Sequence, residues 1–536
     1  MSENKINQEK SSDYSLNKIL LTFFSIINIR ILLDSFAYSM TDDKVFSWEH
    51  YIHALLYFSS IFLSFSLLLY FFTKTDFKKI LLFISKVSFV ILAVPFVDLI
   101  INKAKINSPY ITIIDNNFLT TFFQTANPFA NIGITKGIYF SAYITLILFF
   151  LFVFKKTKSY LEGLAVTFLG YVIFFIYSII PNFLILGYNI HSKDDASSAY
   201  FQTLKTSWMA KYFSESSILN FSNNYLNVNS AYELVMARIF WIAIIAQIIT
   251  IFYLSNKKTW QTLAKNLRIE RVFNYSLISV IGIILSHRIS TEINISNPLN
   301  FIALFCFLVL LALHAWLAVF INDDEDIRID EISNSNRPLA KKEICIENWI
   351  SLRNYLFIII IFGTLILNTQ TAFLLALAQC AFYIYSSQPA RLKKHFIFSS
   401  IVIGFTTIVV AMAGFYLVSP DQSIQAFPLK AILIIGFSYA LLSNVKDIKD
   451  YAGDKAENIR TIPVVFGLGR SKKIIAALYA IIFMSTPYFL EIPSLMPFAI
   501  SASIFSYYLF TKKDFNEKYI FFTKFAYMLV LFLMTM

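Results

Sequence analysis

Fifteen apolar runs divide this chain, and any fold it adopts has to bury them or place them in lipid. Six lie in the first half, at 16–37, 51–72, 80–101, 138–154, 161–186 and 237–254. Nine follow, at 272–287, 301–321, 355–368, 372–387, 396–418, 431–443, 474–489, 496–511 and 519–536. A run of about 20 apolar residues matches the thickness of a bilayer core. Inside lipid the backbone must satisfy its own hydrogen bonds, so such runs become helices. The expectation is an all-α, polytopic transmembrane protein with about six helices in a first membrane domain and nine in a second. Hydrophobic residues make up 57% of the 536 and charged residues only 15%, which excludes a soluble domain of this length. The stretch 110–137 is apolar but broken by Asn and Thr, and reads as re-entrant or interfacial. A polar loop spans 187–232. Residues 1–15 form a polar tail without the basic-then-apolar build of a signal peptide.

The distribution of Lys and Arg orients the second half. Its alternate loops carry Lys257, Lys258, Lys265, Arg268 and Arg271; then Arg328, Arg337, Lys341, Lys342 and Arg353; then Arg391, Lys393 and Lys394. The series continues with Lys446, Lys449, Lys455, Arg460, Arg470, Lys472 and Lys473, and ends with Lys512, Lys513 and Lys518. The intervening loops hold essentially only Arg288, with Lys430 at one margin. By the positive-inside rule the basic loops face the cytoplasm. The net charge of +12 is therefore an orientation signal, and nucleic acid is not a partner. The basic stretch 256–271 marks a boundary between an accessory membrane domain, 16–255, and a second domain, 262–536. Cys306, Cys345 and Cys380 are scattered, with neither a disulfide framework nor zinc-site spacing. Dinucleotide, P-loop and H-E-x-x-H signatures are absent.

Two acidic clusters carry the chemistry. After the run 301–321 come Asn322, Asp323, Asp326 and Asp330; after 431–443 come Lys446, Asp447, Asp450 and Asp454. Each cluster reads D-x-x-D-x-x-x-D. On a helix its three carboxylates share an arc of about 60°. All are hard oxygen donors of the kind Mg²⁺ takes. A solvated acidic helix end accounts for one such cluster, but not for two with the same spacing on the same side. Their natural ligand is a polyanion bridged by Mg²⁺, such as a diphosphate. Arg337, Arg391, Lys393, Lys446 and Arg460 are the cations available to complete the site.

These residues resemble a known family. N-D-x-x-D-x-x-x-D followed by N-R-P (Asn322, Asp323, Asp326, Asp330, Asn336, Arg337, Pro338) looks like the first signature of the UbiA superfamily of intramembrane prenyltransferases. K-D-x-x-D-x-x-G-D with T-I-P-V-V-F-G (Lys446 to Asp454, Thr461 to Gly467) is similar to the second. Tyr385, Ser386, Pro389, Arg391, Leu392 and Lys393 match its Y-S-x-x-P-x-R-L-K element. The resemblance covers about 262–536 and says nothing of the first half. It implies a nine-helix UbiA-type bundle and Mg²⁺-dependent transfer of a prenyl group from an allylic diphosphate to a lipophilic acceptor in the bilayer. That is a transferase of alkyl or aryl groups other than methyl.

By motif position, Asn322, Asp323, Asp326, Asp330, Asp447, Asp450 and Asp454 would hold metal, with Asp323, Asp326, Asp447 and Asp450 catalytic. Tyr385 would lie near the allylic carbon. Asn322, Arg337, Arg391, Lys393, Lys446 and Arg460 would bind diphosphate. A-E-N-I-R-T replaces the usual Gly before the second T-L-P-like element, which puts Arg460 in question. The setting implied is the plasma membrane of a prokaryote, with the active-site loops cytoplasmic. Two other readings remain at this level: a relative using phosphoribosyl diphosphate, and a cation-coupled transporter. Transporter sites lie near the bilayer midplane, whereas these clusters sit at helix ends. In the first half Arg30, Asp34, Lys86 and Asp98 fall inside apolar runs; Arg30 and Asp34, spaced i,i+4, can satisfy each other.

Overall fold

The computed structural model describes residues 15–39, 47–101, 110–115, 117–130, 134–208, 225–290, 297–419, 423–512 and 515–535. The polar tail expected over 1–15 lies outside them except for Ser15, as does the middle of the loop 187–232. Among the described residues there is no β-strand. The protein divides into two compact units, 1–257 with 294–306, and 258–293 with 307–536.

The first unit contains α1 (Leu16–Ser39), α2 (Trp48–Thr73), α3 (Phe77–Val87), α4 (Val94–Ile101), α5 (Phe118–Thr125), α6 (Lys136–Thr157), α7 (Tyr160–Ile179), α8 (Lys193–Lys205) and α9 (Tyr225–Ser255). A 3₁₀ segment, Ser88–Ala93, joins α3 to α4 within one run. Among the described residues of the interrupted stretch 110–137, the helix before α6 is the short α5, and residues 110–114 are non-helical. Helices α2 and α9 pack along their lengths and bury Phe65, Phe240 and Trp241. The ionisable residues in the apolar runs are accounted for locally. Arg30 pairs with Asp34. Asp98 receives Thr135 Oγ1 at 2.6 Å and Gly137 N at 2.7 Å, placing a carboxylate on the amino end of α6, where free N–H groups and the helix dipole favour it. Lys86 is exposed. Inside this unit Glu233 joins two imidazoles: it pairs with His53, and its Oε1 lies 3.3 Å from His50 Nδ1. His53 Nε2 in turn meets the Tyr110 hydroxyl at 2.5 Å.

The second unit begins with α10 (Lys257–Lys265) and α11 (Ile269–Ser290). It continues with most of α12 (Pro298–Glu325), α13 (Ile327–Ser333), α14 (Ile346–Leu365), α15 (Thr369–Ser386), α16 (Phe396–Val418), α17 (Leu429–Leu442) and α18 (Asp447–Ala456). It ends with α19 (Ile462–Phe466), α20 (Leu468–Phe489), α21 (Met496–Thr511) and α22 (Glu517–Thr535). Each of the nine expected runs is a helix here. Helices α11 and α16 cross through reciprocal glycines: a Cβ on Gly282 would run into the Ala411 carbonyl, and one on Gly414 into that of Ser279. Such bare-backbone contacts are how helices associate where lipid removes the hydrophobic drive between them. Around Tyr479, Phe483, Phe510 and Tyr527, helices α20, α21 and α22 close a second core.

Among the described residues, eleven helical stretches are long and apolar enough to cross a membrane, and α17 with α18 forms a further bent pair. The remaining three of the fifteen expected runs, in α15, α20 and α22, are helical as well.

Candidate active site

The first acidic cluster straddles a break between two helices, whereas the second lies on a single helix. Helix α12 ends at Glu325 and α13 starts at Ile327, with Asp326 at the junction (φ −108°, ψ 18°). The i→i−4 bonds nevertheless continue through it, from Asp326 N to Asn322 O at 3.0 Å and from Asp330 N to Asp326 O at 2.9 Å. The three aspartates therefore remain on one side of the chain. In the second cluster a 3₁₀ turn, Ser443–Val445, bends the chain by 63°, and Asp447, Asp450 and Asp454 all lie on α18 beyond that bend.

Helices α13 and α18 pack against each other and join the clusters. Gly453 makes the approach possible: a Cβ there would stand 2.7 Å from Ser333 Oγ, 2.8 Å from Ile329 Cγ2 and 2.9 Å from Ile329 O. Ser333 Oγ accepts from Gly453 N at 2.8 Å. Asn334 Nδ2 donates to Asp450 Oδ1 at 2.9 Å and to Asp330 Oδ1 at 3.3 Å, so one amide spans both clusters.

Every carboxylate of the first cluster is buried and held by a cation. Asp323, 2% exposed, pairs with Arg268, lies 3.3 Å from Arg337 Nη1 and accepts from Asn266 Nδ2 at 3.0 Å. Asp326 takes Lys393 Nζ at 2.5 Å and Arg391 Nη2 at 2.9 Å. Asp330 pairs with Arg337. Burial pushes the Asp330 carboxyl up to about 6, although the Arg337 guanidinium pulls the other way. Burial also works against the charge on Arg337. Asp323, Asp330 and Asp450 outweigh it, so that guanidinium stands above the ordinary arginine range and belongs electrostatically to both clusters. Asn322 Oδ1 lies 3.4 Å from both Lys393 Nζ and Ser386 Oγ.

The second cluster differs. Asp447 and Asp454 are each 7% exposed, and their carboxylates accept no hydrogen bond from any described residue. Beside them Lys446 Nζ donates to the Tyr385 hydroxyl at 2.5 Å and lies 4.8 Å from the centre of that ring. Arg460 stands apart with its side chain exposed; its backbone N donates to Lys394 O at 3.0 Å.

Sequence reasoning passed over Asn266, Ser333 and Asn334, and it gave Arg268 and the motif residue Ser386 no role in the site. Arg268 was visible only as one of five basic residues in an orienting loop. Asn334 lies two residues before the Asn336 of the quoted motif, with no spacing to distinguish it.

Among the described residues no three His, Cys, Asp or Glu side chains are gathered tightly enough to hold an ion by themselves. The donors nevertheless suit Mg²⁺: they are hard carboxylate oxygens, and those of Asp447 and Asp454 are not taken up by a hydrogen-bond donor among the described residues.

An all-helical bundle with paired, Asp-rich helix ends facing each other defines an integral, multi-pass membrane protein. Residues 281–531 match the UbiA prenyltransferase family. A digeranylgeranylglyceryl phosphate synthase of Methanothrix thermoacetophila is 30% identical over 36% of this chain and 69% of its own length. The corresponding synthase of Sulfurisphaera tokodaii is 30% identical over 32% of this chain. The chain spans 60% of that relative and 58% of the Saccharolobus solfataricus synthase. A UbiA homologue of Archaeoglobus fulgidus, solved with DMAPP and Mg²⁺, aligns over 50% of this chain and 96% of its own at 17% identity and a TM-score of 0.39. The chain belongs to the UbiA prenyltransferase family.

Proposed function

We propose that the second unit transfers a prenyl group from an allylic prenyl diphosphate to a lipophilic acceptor, using Mg²⁺, within a prokaryotic plasma membrane whose cytoplasmic face carries the site. The observation that carries this reading is the joining of two D-x-x-D-x-x-x-D clusters by the α13–α18 contact, with cations on one cluster and bare buried carboxylates on the other. Curated relatives act as digeranylgeranylglyceryl phosphate synthases, which favours a glycerol lipid as acceptor.

Asn322, Asp323, Asp326, Asp330, Asp447, Asp450 and Asp454 would hold the metal–diphosphate group. Mg²⁺, when bound, neutralises the diphosphate and stabilises it as a leaving group. Arg268, Arg337, Arg391 and Lys393 now neutralise the first cluster. They are positioned to exchange those carboxylates for phosphate oxygens, which accept from guanidinium and ammonium groups alike. The Lys446 ammonium polarises the Tyr385 phenol and orients its ring. An aromatic face there can stabilise positive charge developing on the allylic carbon. Apolar helix walls keep water from that cation.

The full chain in lipid nanodiscs, given radiolabelled prenyl diphosphates with glycerol-lipid and phenolic acceptors, should release diphosphate and form labelled lipid only with Mg²⁺ present. Asp323→Ala and Asp447→Ala should each lower transfer by about 10²-fold or more, and Asp447→Ala should do so while keeping the helical thermal transition. Turnover of no donor, or near-normal activity in both variants, would overturn the assignment.

A further inference from the structure

Two polar side chains lie deep in the apolar part of the second unit, on helices that also carry parts of the proposed site. His314 of α12 and Gln379 of α15 are 5% and 8% exposed. His314 Nδ1 and Gln379 Oε1 are 3.0 Å apart. The other nitrogen of each, His314 Nε2 and Gln379 Nε2, is buried without a hydrogen-bond partner. Both residues line one small void, walled otherwise by Tyr275, Leu311, Phe382 and Val410. The void has room for about one water molecule.

The chemistry of this pair is fixed whichever way the amide is turned. If Gln379 Oε1 accepts from His314 Nδ1–H, the neutral ring offers Nε2 as an acceptor and Gln379 offers an N–H. If the amide is reversed, the ring offers Nε2–H and the amide its oxygen. In both cases the pair keeps one unused donor and one unused acceptor beside the void. A prenyl chain satisfies neither, and an ether or ketone satisfies one. A hydroxyl group satisfies both, and it is the size of the void.

Position ties the void to the transfer site. Gln379 precedes Tyr385 by six residues on α15, about 9 Å along a helix rising 1.5 Å per residue. Tyr275, on the wall, meets Phe382 edge to face with ring centres 5.5 Å apart, and Phe382 is three residues before Tyr385 on the same helix. The void thus lies on the apolar side of the place where transfer is proposed. We propose that His314 and Gln379 form a hydroxyl-binding subsite that selects lipid-soluble acceptors carrying a hydroxyl away from their reacting end. This rests on the transferase reading above and specifies what its acceptor must carry.

The test separates the two halves of the reaction. One probe is a monoprenylated glycerol lipid with two free hydroxyls, set against the same lipid with one hydroxyl methylated. Hydroquinone and 4-methoxyphenol form a second pair. In the wild-type chain, methylation should raise the acceptor KM about tenfold or more, because the subsite is left half-paired. In Gln379→Met, which conserves shape, the free and methylated acceptors should have similar KM, while the donor KM stays unchanged. His314→Gln, which keeps one donor and one acceptor, should preserve discrimination. Equal methylation effects in wild type and Gln379→Met, or no effect in either, would mean that the pair binds a structural water only. A wild-type chain that turns over no donor with any of these acceptors, free or methylated, would instead sink the transferase reading.

Discussion

Gly453→Ala is the sharpest single perturbation of the site, because it adds one methyl group at the contact that joins the clusters. The new Cβ would stand 2.7–2.9 Å from Ser333 Oγ, Ile329 Cγ2 and Ile329 O. Normal carbon contacts are about 3.5–4.0 Å, so α13 and α18 must separate by roughly 0.5–1 Å. Two effects on stability oppose each other. Alanine is better than glycine inside a helix by about 0.8–1 kcal/mol, whereas overpacking costs about 1–3 kcal/mol. The net change is a loss of roughly 0–2 kcal/mol, small enough that the protein still folds. Catalysis is less forgiving. A displacement of about 1 Å between groups that must hold one substrate lowers rates by up to about 10²-fold. The expected result is near-normal thermal unfolding in nanodiscs with a large fall in kcat. Wild-type kcat in Gly453→Ala would refute the claim that this contact sets the distance between the clusters. Gly453→Ser should behave likewise, since its Cβ meets the same atoms.

Two further outcomes follow from the ion-paired interior. Arg268→Ala leaves the buried Asp323 with one guanidinium instead of two; it should lower the midpoint of thermal unfolding and cut kcat/KM for the donor by about tenfold or more, measured by diphosphate release. Glu233→Leu in the first unit removes the acceptor shared by His50 and His53 and should destabilise the protein by about 1–3 kcal/mol, read from detergent-resistance or thermal-unfolding curves; an unchanged midpoint would show that these imidazoles are satisfied elsewhere.

The helical architecture was legible because apolar run length is a direct physical requirement of the bilayer. All fifteen runs became helices, and the disagreements lie at their ends. Helices α9, α14 and α20 extend several residues into polar sequence, where i→i−4 hydrogen bonds continue after the apolar signal stops. The Asp spacing likewise pointed to two matching carboxylate faces, but not to the break at Asp326, which local sequence does not announce. What could not be read was tertiary. Arg268 and Asn266 reach Asp323 from more than 50 positions away. Asn334 and Ser333 matter because α18 happens to lie against them. The motif glycine at 453 had no assigned role until its neighbours were known. His314 and Gln379 vanish within apolar runs when only run length is scored.

The reciprocal glycines of α11 and α16 imply an uneven map of what this chain can tolerate in evolution or in a mutant library. At Gly282 and Gly414 the facing surface is main chain, which has no rotamer to change, so even alanine wedges the two helices apart. On α14, whose outward positions such as Phe357, Ile358 and Ile361 are exposed, one large apolar residue can replace another with little consequence. Sequence drift in this unit should therefore be almost frozen at two residues without side chains and loosest among some of its bulkiest ones.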